Sequence, residues 1–212
     1  MPELAISLRG DTMSVFFTKR GKAASSVNYT KYIDSSGTQY IDTGIIGKAG
    51  ISVSCEFEVL SDSLSNFVLI GSATNNWAVR CYPVAGKDNV WKYGYINWYT
   101  SSVSTARNKK YSVSTDLSKG AQSLTVDSQQ ILTSQNANDM NTGLSMFIFC
   151  VNYKGSADTL LSFRLYHLSI YENGTLVRDF RPCYDPDGVA CLYDKVEKKY
   201  YYNKGSGEFI AG

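Results

Sequence analysis

The sequence predicts an all-β protein, an antiparallel two-sheet β-sandwich of the jelly-roll kind, and three observations carry that reading. Apolar and polar residues alternate with period two along most of the chain, turn residues recur at short intervals, and no stretch shows a capped 3.6-residue period. The 16 Tyr and 17 Gly, with Ser, Thr and Asn between apolar runs, favour twisted strands joined by tight turns. A chain of 212 residues can also enclose one substantial core. Roughly a dozen short strands at even spacing then close into a sandwich.

From the N-terminus, "AISLRGDTMSVFF" reads as two strands around Arg9-Gly10-Asp11. That tripeptide is an integrin-binding sequence, but its place between apolar runs makes it a hairpin turn. Composition softens over 20–28 ("RGKAASSVN"), so residues 1–28 are expected to form a strand pair or docking arm and 29–212 the sandwich. "KYIDSSGTQYIDTGI" reads as two short strands around the turn Ser35-Ser36-Gly37. "ISVSCEFEVL" puts Ile51, Val53, Cys55, Phe57 and Val59 on a buried face and Ser52, Ser54, Glu56 and Glu58 on a wet one. Further strands follow in "NFVLIGS", "WAVRCYPV", "VWKYGYINWYT", "KKYSVSTDL", "SLTVDSQQIL" and "LSMFIFCVN". Asn173-Gly174, between apolar runs, is the strongest hairpin signal in the chain. "VACLYDKVEKKYYYNKG" closes as another hairpin.

Composition excludes several classes. A net charge of +2 with no Lys/Arg stripe argues against nucleic acid as a partner. No apolar run approaches the roughly 18–20 residues of a membrane span, so no membrane insertion is expected. Glu3, Arg9 and Asp11 interrupt the segment where a signal peptide needs an apolar core. A Sec signal is therefore not expected, and particle-borne proteins leave a cell by lysis without one. Cys55, Cys81, Cys150, Cys183 and Cys191 are odd in number and lack CxxC spacing, which favours buried free thiols and leaves a Cys183–Cys191 bridge open. No cofactor is expected. Calcium is the one metal considered, through "SDSLSN", "AGKDN" and "NANDMN", none of which has the spacing of a known calcium loop.

Three stretches, "YIDSSGTQYIDTGI" (32–45), "LSIYENGTLVRDFRPCYD" (168–185) and "LYDKVEKKYYYNKGSGEFIAG" (192–212), occur together. This set resembles the laminin-G-like, concanavalin A-like lectin modules of bacteriophage tail and receptor-binding proteins and of gut-bacterial surface proteins. The resemblance spans residues 29–212, firm at the ends and loose between. It implies two curved sheets, a ligand site often on the concave one, and exposure on a virion or cell surface. The shared residues read as architectural, with Arg178 and Asp179 placed to fix strand register by an ion pair.

Folds of this kind also house glycosidases. Retaining enzymes need two carboxylates about 5–5.5 Å apart. Glu56 and Glu58 share a strand face but read as an ordinary solvated pair, and the E-x-D-x-x-E arrangement of the glucanases with this fold is missing. His167 has no evident Ser or Cys partner motif. A non-enzymatic role follows.

The stretch 77–100, with seven aromatic residues, offers the ligand site. Read as one strand, "VWKYGYINWY" aims Trp91, Tyr93, Tyr95, Asn97 and Tyr99 one way and Val90, Lys92, Gly94, Ile96 and Trp98 the other. With Trp77, Val79 and Cys81 taken as an apolar face, Arg80 and Tyr82 join the rings. Arg80, Tyr82, Trp91, Tyr93, Tyr95 and Asn97 then form a platform on which sugar C–H faces stack and hydroxyls find hydrogen bonds. Core packing and a protein interface are the alternatives for the same residues. The expected protein is a receptor-binding module of a phage tail holding a bacterial cell-surface glycan. Copies, a homotrimer by expectation, would supply avidity. A structural tail or decoration protein is the alternative.

Overall fold

In a computed structural model the described residues are 5–9, 12–16, 26–60, 67–74, 78–83 and 89–212, of which 5–9, 12–16, Phe67, 78–83 and Asn89 are described by backbone alone. Every regular element among these residues is a strand. The first seven are β1 (Ala5–Arg9), β2 (Thr12–Phe16), β3 (Asn28–Tyr29), β4 (Ile33–Ser36), β5 (Ile41–Lys48), β6 (Ile51–Val59) and β7 (Phe67–Ala73). Then come β8 (Ala78–Pro83), β9 (Asn89–Tyr95), β10 (Asn97–Ser104), β11 (Lys110–Ser118), β12 (Ala121–Val126), β13 (Gln129–Ser134) and β14 (Asn141–Ile148). The last are β15 (Val151–Tyr153), β16 (Ser156–Asp158), β17 (Ser162–Glu172), β18 (Thr175–Tyr184), β19 (Ala190–Asp194), β20 (Lys199–Tyr201) and β21 (Ile210–Ala211).

Two sheets make the sandwich. The larger runs β13-β12-β11-β6-β17-β18-β19-β20, with β3, β4 and β21 attached; the smaller runs β10-β9-β8-β7-β14-β5, with β15 and β16 attached. Among the described residues, pairing is antiparallel except for β15 on β7. β1 and β2 pair with Arg9 opposite Thr12, so the strands flank Gly10 and Asp11, which lie outside the described residues. β6 alternates buried and half-buried residues along its whole length, as the sequence predicts. At the Asn173-Gly174 turn Glu172 faces Thr175, and φ is 49° and 77° at the two turn residues, the mirror-image turn that matches strand twist. The Ser35-Ser36-Gly37 turn has a different use. β4 joins the larger sheet and β5 the smaller, so this segment arches between layers, with Gln39 buried and its Oε1 accepting from Ser36 N at 2.8 Å.

The core lies between the layers. Phe57, Leu165, Ile170 and Phe180 come from the larger sheet, and Ile41, Ile70, Met146 and Ile148 from the smaller. The rings expected to lie open to solvent are part of it: Trp91, Tyr93 and Tyr95 are each 0% exposed. Trp91 meets Phe57 and Tyr111 of the opposite layer edge-on, at 5.9 and 5.3 Å between centroids. The open platform is therefore corrected. Tyrosine tolerates this depth because its hydroxyl finds a partner at the sandwich margin. Tyr93 Oη donates to Ser134 Oγ at 2.6 Å, and Tyr95 Oη to the Asn138 carbonyl at 2.8 Å.

Candidate functional site

Register explains why the expected platform does not assemble. Trp91 pairs with Cys81 and Tyr93 with Val79, whereas Arg80 pairs with Lys92 and Tyr82 with Val90. Facing residues in a ladder share a face, so Arg80 and Tyr82 hold register positions on the side away from the three rings; their side chains lie outside the described residues. Nor is 90–99 one strand. The chain reverses at Ile96, whose φ is 62°, and Tyr95 pairs with Asn97 across it. Asn97 is exposed at that reversal. Of the six residues, three are core and one sits on a turn.

An exposed aromatic surface exists elsewhere, on the outer face of the larger sheet. The run Tyr200-Tyr201-Tyr202 cannot send all three rings inward, because side chains alternate along an extended chain. Tyr201 packs against the core and meets Phe180 at 5.0 Å. Tyr200 and Tyr202 face out. Tyr200 contacts Tyr193, its ladder partner, at 5.1 Å, and Tyr202 lies 6.4 Å from Tyr200. Tyr29, on β3 beside β18, contacts Tyr193 at 6.1 Å. Four rings thus form a continuous belt whose ends, Tyr29 and Tyr202, are 49% and 43% exposed. Burial first, then neighbouring rings and anions, pushes the Tyr29 and Tyr200 hydroxyls above the usual phenol range, and that of Tyr202 rises to about 12. All three remain protonated donors at neutral pH. Tyr202 Oη donates to Asp185 Oδ2 at 2.9 Å, and Asp185 is itself held low mainly by the Val189 amide.

Each end of the belt opens into a cleft. At the Tyr29 end, a cleft of about 470 Å³ is lined by Tyr29, Lys31, Tyr166, Arg181, Pro182 and Lys195. At the Tyr202 end, a cavity of about 560 Å³ is lined by Tyr184, Val189, Tyr202, Asn203, Glu208 and Ile210. The second cavity depends on a close backbone approach: Ser206 N donates to Thr38 O at 3.1 Å, and Asn203 Oδ1 accepts from Tyr40 N at 3.1 Å. None of these residues entered the expected site, since the C-terminal motif reads as architectural. The three consecutive tyrosines were the signal that points to them.

Beside the first cleft lies a cluster with the composition, but not the geometry, of a hydrolase triad. His167 Nε2 meets Asp179 Oδ1 at 2.8 Å and Ser169 Oγ at 2.9 Å. A triad needs the acid and the nucleophile on different ring nitrogens. Here both compete for one, and Nε2–H serves the carboxylate. Burial lowers the His167 pKa first, with the Arg181 charge adding to it; Asp179 opposes them and is outweighed. Glu56 and Glu58 do share the outer face, and both are engaged, Glu56 by Lys110 Nζ at 2.7 Å and Glu58 Oε2 by Tyr166 Oη at 2.8 Å. Cys55, Cys150, Cys183 and Cys191 are buried free thiols, the last two with Sγ atoms 3.6 Å apart. Among the described residues no group of three or more His, Cys, Asp or Glu is placed to hold a metal. In "NANDMN", Asp139 pairs with Lys119 at 3.0 Å; most of the other two candidate calcium loops lies outside the described residues.

No protein-family model and no curated protein matches the chain. Among solved structures, a Bacteroides ovatus protein proposed to bind carbohydrate superposes with a TM-score of 0.63 at 11% identity, over 97% of this chain and 65% of that one. The chain thus spans just under two thirds of that protein's length. Domain 4 of an extracellular arabinanase from Geobacillus stearothermophilus, solved with arabinotriose, matches at 0.46 and 16% identity, over 80% of this chain and 75% of that one. A Caenorhabditis elegans galectin matches at 0.43 and 10%, over 67% of this chain and 96% of that one. The first likeness agrees with the sandwich fold; the other two are too distant to argue from.

Proposed function

We propose that this chain is a non-catalytic carbohydrate-recognition module whose ligand lies along the tyrosine belt of the larger sheet and into the Tyr29 cleft. One observation carries the reading: four contacting rings on an outer sheet face, with Tyr29 and Tyr202 about half exposed at the ends. Rings held by their neighbours lose little freedom on contact, and the protonated Tyr29 and Tyr200 hydroxyls meet a saccharide as donors. The carbohydrate role proposed for the Bacteroides ovatus protein agrees with this. A glycan array on the intact chain tests it. Tyr29→Ala and Tyr202→Ala are expected to abolish a positive signal while shifting the melting temperature by no more than a degree or two, as exposed substitutions do. Retained binding in both variants would remove the belt from the site.

The setting belongs to the same proposal: a phage tail or receptor-binding component outside the cell, presenting several copies, a trimer in the simplest case, to a bacterial surface glycan. Residues 1–28 would attach it to its neighbours. The assembly reading draws on the apolar side chains at the Tyr202 end, where Val189 is 49% and Ile210 68% exposed. A concentration-independent oligomer that binds no glycan would favour assembly over recognition.

A further inference from the structure

The clefts at the two ends of the belt differ in charge, and that difference names a ligand class. Lys31, Arg181 and Lys195 line the Tyr29 cleft, and none of its lining residues is acidic. Lys31 comes from the segment leading into β4, Arg181 from β18 and Lys195 from the turn after β19. One carboxylate serves two of these cations. Asp179 Oδ1 accepts from Arg181 Nε at 3.1 Å, and its Oδ2 lies 3.6 Å from Lys195 Nζ. Its side chain is only 13% exposed, and Oδ1 also takes His167. Asp179 therefore sits below the cleft as an anchor and is already shared three ways. The acids on the far side of Tyr166 are committed as well: Glu58 to Tyr166, Glu56 to Lys110, and Asp34 to a two-point pair with Arg164 at 2.8 Å. At the other end, Glu208 lines the Tyr202 cavity.

We infer, building on the carbohydrate reading above, that the Tyr29 cleft takes an oxyanion carried on a sugar, so that the ligand class is an acidic glycan. Two tyrosine rings, Tyr29 and Tyr166, supply the walls on which the sugar stacks. Arg181 uses Nε on Asp179, and its terminal nitrogens carry no hydrogen bond to described residues; that planar pair suits the two oxygens of a carboxylate. Lys31 and Lys195 add compact charge that does not discriminate among oxyanions. Glu208 disfavours a second anion at the opposite end, which gives the ligand a direction along the belt.

The test measures affinity of the intact chain for matched pairs: polygalacturonate against its methyl ester, a sulfated against an unsulfated dextran, and a sialylated against an asialo oligosaccharide. Expected is binding of at least one acidic member, at least about tenfold tighter than its neutral partner. Arg181→Gln and the double variant Lys31→Gln/Lys195→Gln should each weaken it by a similar factor. The lysine variant keeps the test valid should Arg181→Gln fail to fold. The arms separate carboxylate from sulfate as the source of the oxyanion. Equal binding of acidic and neutral partners, lost in Tyr29→Ala, overturns the anion inference and leaves carbohydrate recognition standing. Acidic binding unchanged in both cation variants places the anion elsewhere and overturns it too. Silence on all pairs and on the array removes both.

Discussion

At the scale of single residues, the division between ring and site runs opposite to hydropathy-based intuition. Trp91 looks like a ligand-stacking residue and is core, edge-on against Phe57 and Tyr111, with no hydrogen-bond partner for its indole Nε1 among the described residues. Trp91→Ala is expected to cost about 3–5 kcal/mol through lost burial and the cavity left behind. Denaturant melts check this, and a loss under about 1 kcal/mol would mean that the ring is not sealed. His167 carries a pH signature. Its folded pKa is lowered, chiefly by burial, so below about 6.5 the unfolded chain takes up a proton that the folded chain resists. The contribution is complete above that pH and is lost as pH falls from there toward the folded value. Asp179, also lowered in the fold because His167, Arg181 and Lys195 outweigh its burial, repeats the sign below the ordinary carboxylate range. Stability measured at pH 7.5 and pH 5 should fall on acidification, and His167→Gln should flatten that part of the profile. A rise on acidification would show a charged His167 paired to Asp179.

At the scale of elements, tight packing against backbone decides what can change. A Cβ at Gly205 would fall inside van der Waals contact of the Thr38 carbonyl oxygen and press on the Gln39 Cα. Gly205→Ala should therefore cost about 1–3 kcal/mol and loosen the loop that lines the Tyr202 cavity; an unchanged melting curve would contradict the docking of 203–207 on 38–40. Elements with one wet and one dry face were legible in the sequence. β6 shows this residue by residue, and Asn173-Gly174 declares its turn because both positions need positive φ. Ile96 makes a reversal at φ 62° with a β-branched side chain, a conformation that no residue preference signals. Faces were illegible over 77–99 because aromatic residues occupy both sides of the strands, and period two cannot say which side is inside. The deciding facts are remote ones: Ser134 and Asn138 receive the Tyr93 and Tyr95 hydroxyls about forty residues further on. The belt was hidden for the complementary reason, that Tyr29, Tyr193 and Tyr200 become neighbours only through pairing of β3, β18, β19 and β20.

At the scale of the whole molecule, the two layers are joined by more than apolar packing, and Arg178 is the residue that shows it. It stands on β18 of the larger sheet, 11% exposed in its side chain, and its Nε donates to the Thr43 carbonyl of β5 in the smaller sheet at 3.2 Å. The same guanidinium lies 3.5 Å from Asp194 and 2.7 Å from Glu197. Asp194 is 0% exposed; Oδ1 accepts from the amides of Asp179 and Val196, and Oδ2, without a hydrogen bond to any described residue, has the charge of Arg178 beside it. Removing the arginine alone strands a buried carboxylate, which costs about 3–5 kcal/mol. At about 2–4 °C per kcal/mol for a domain of this length, the melting temperature of Arg178→Ala should fall by roughly 6–20 °C. Arg178→Lys should recover only part of this, since an ammonium cannot span Thr43, Asp194 and Glu197 together. The decisive variant is the double change Arg178→Met/Asp194→Leu, which removes both buried charges. If the pair acts as a register device, the double variant melts well above Arg178→Ala. Strictly additive losses would show instead that each residue stabilises its own strand, and that the layers are held by the apolar core alone.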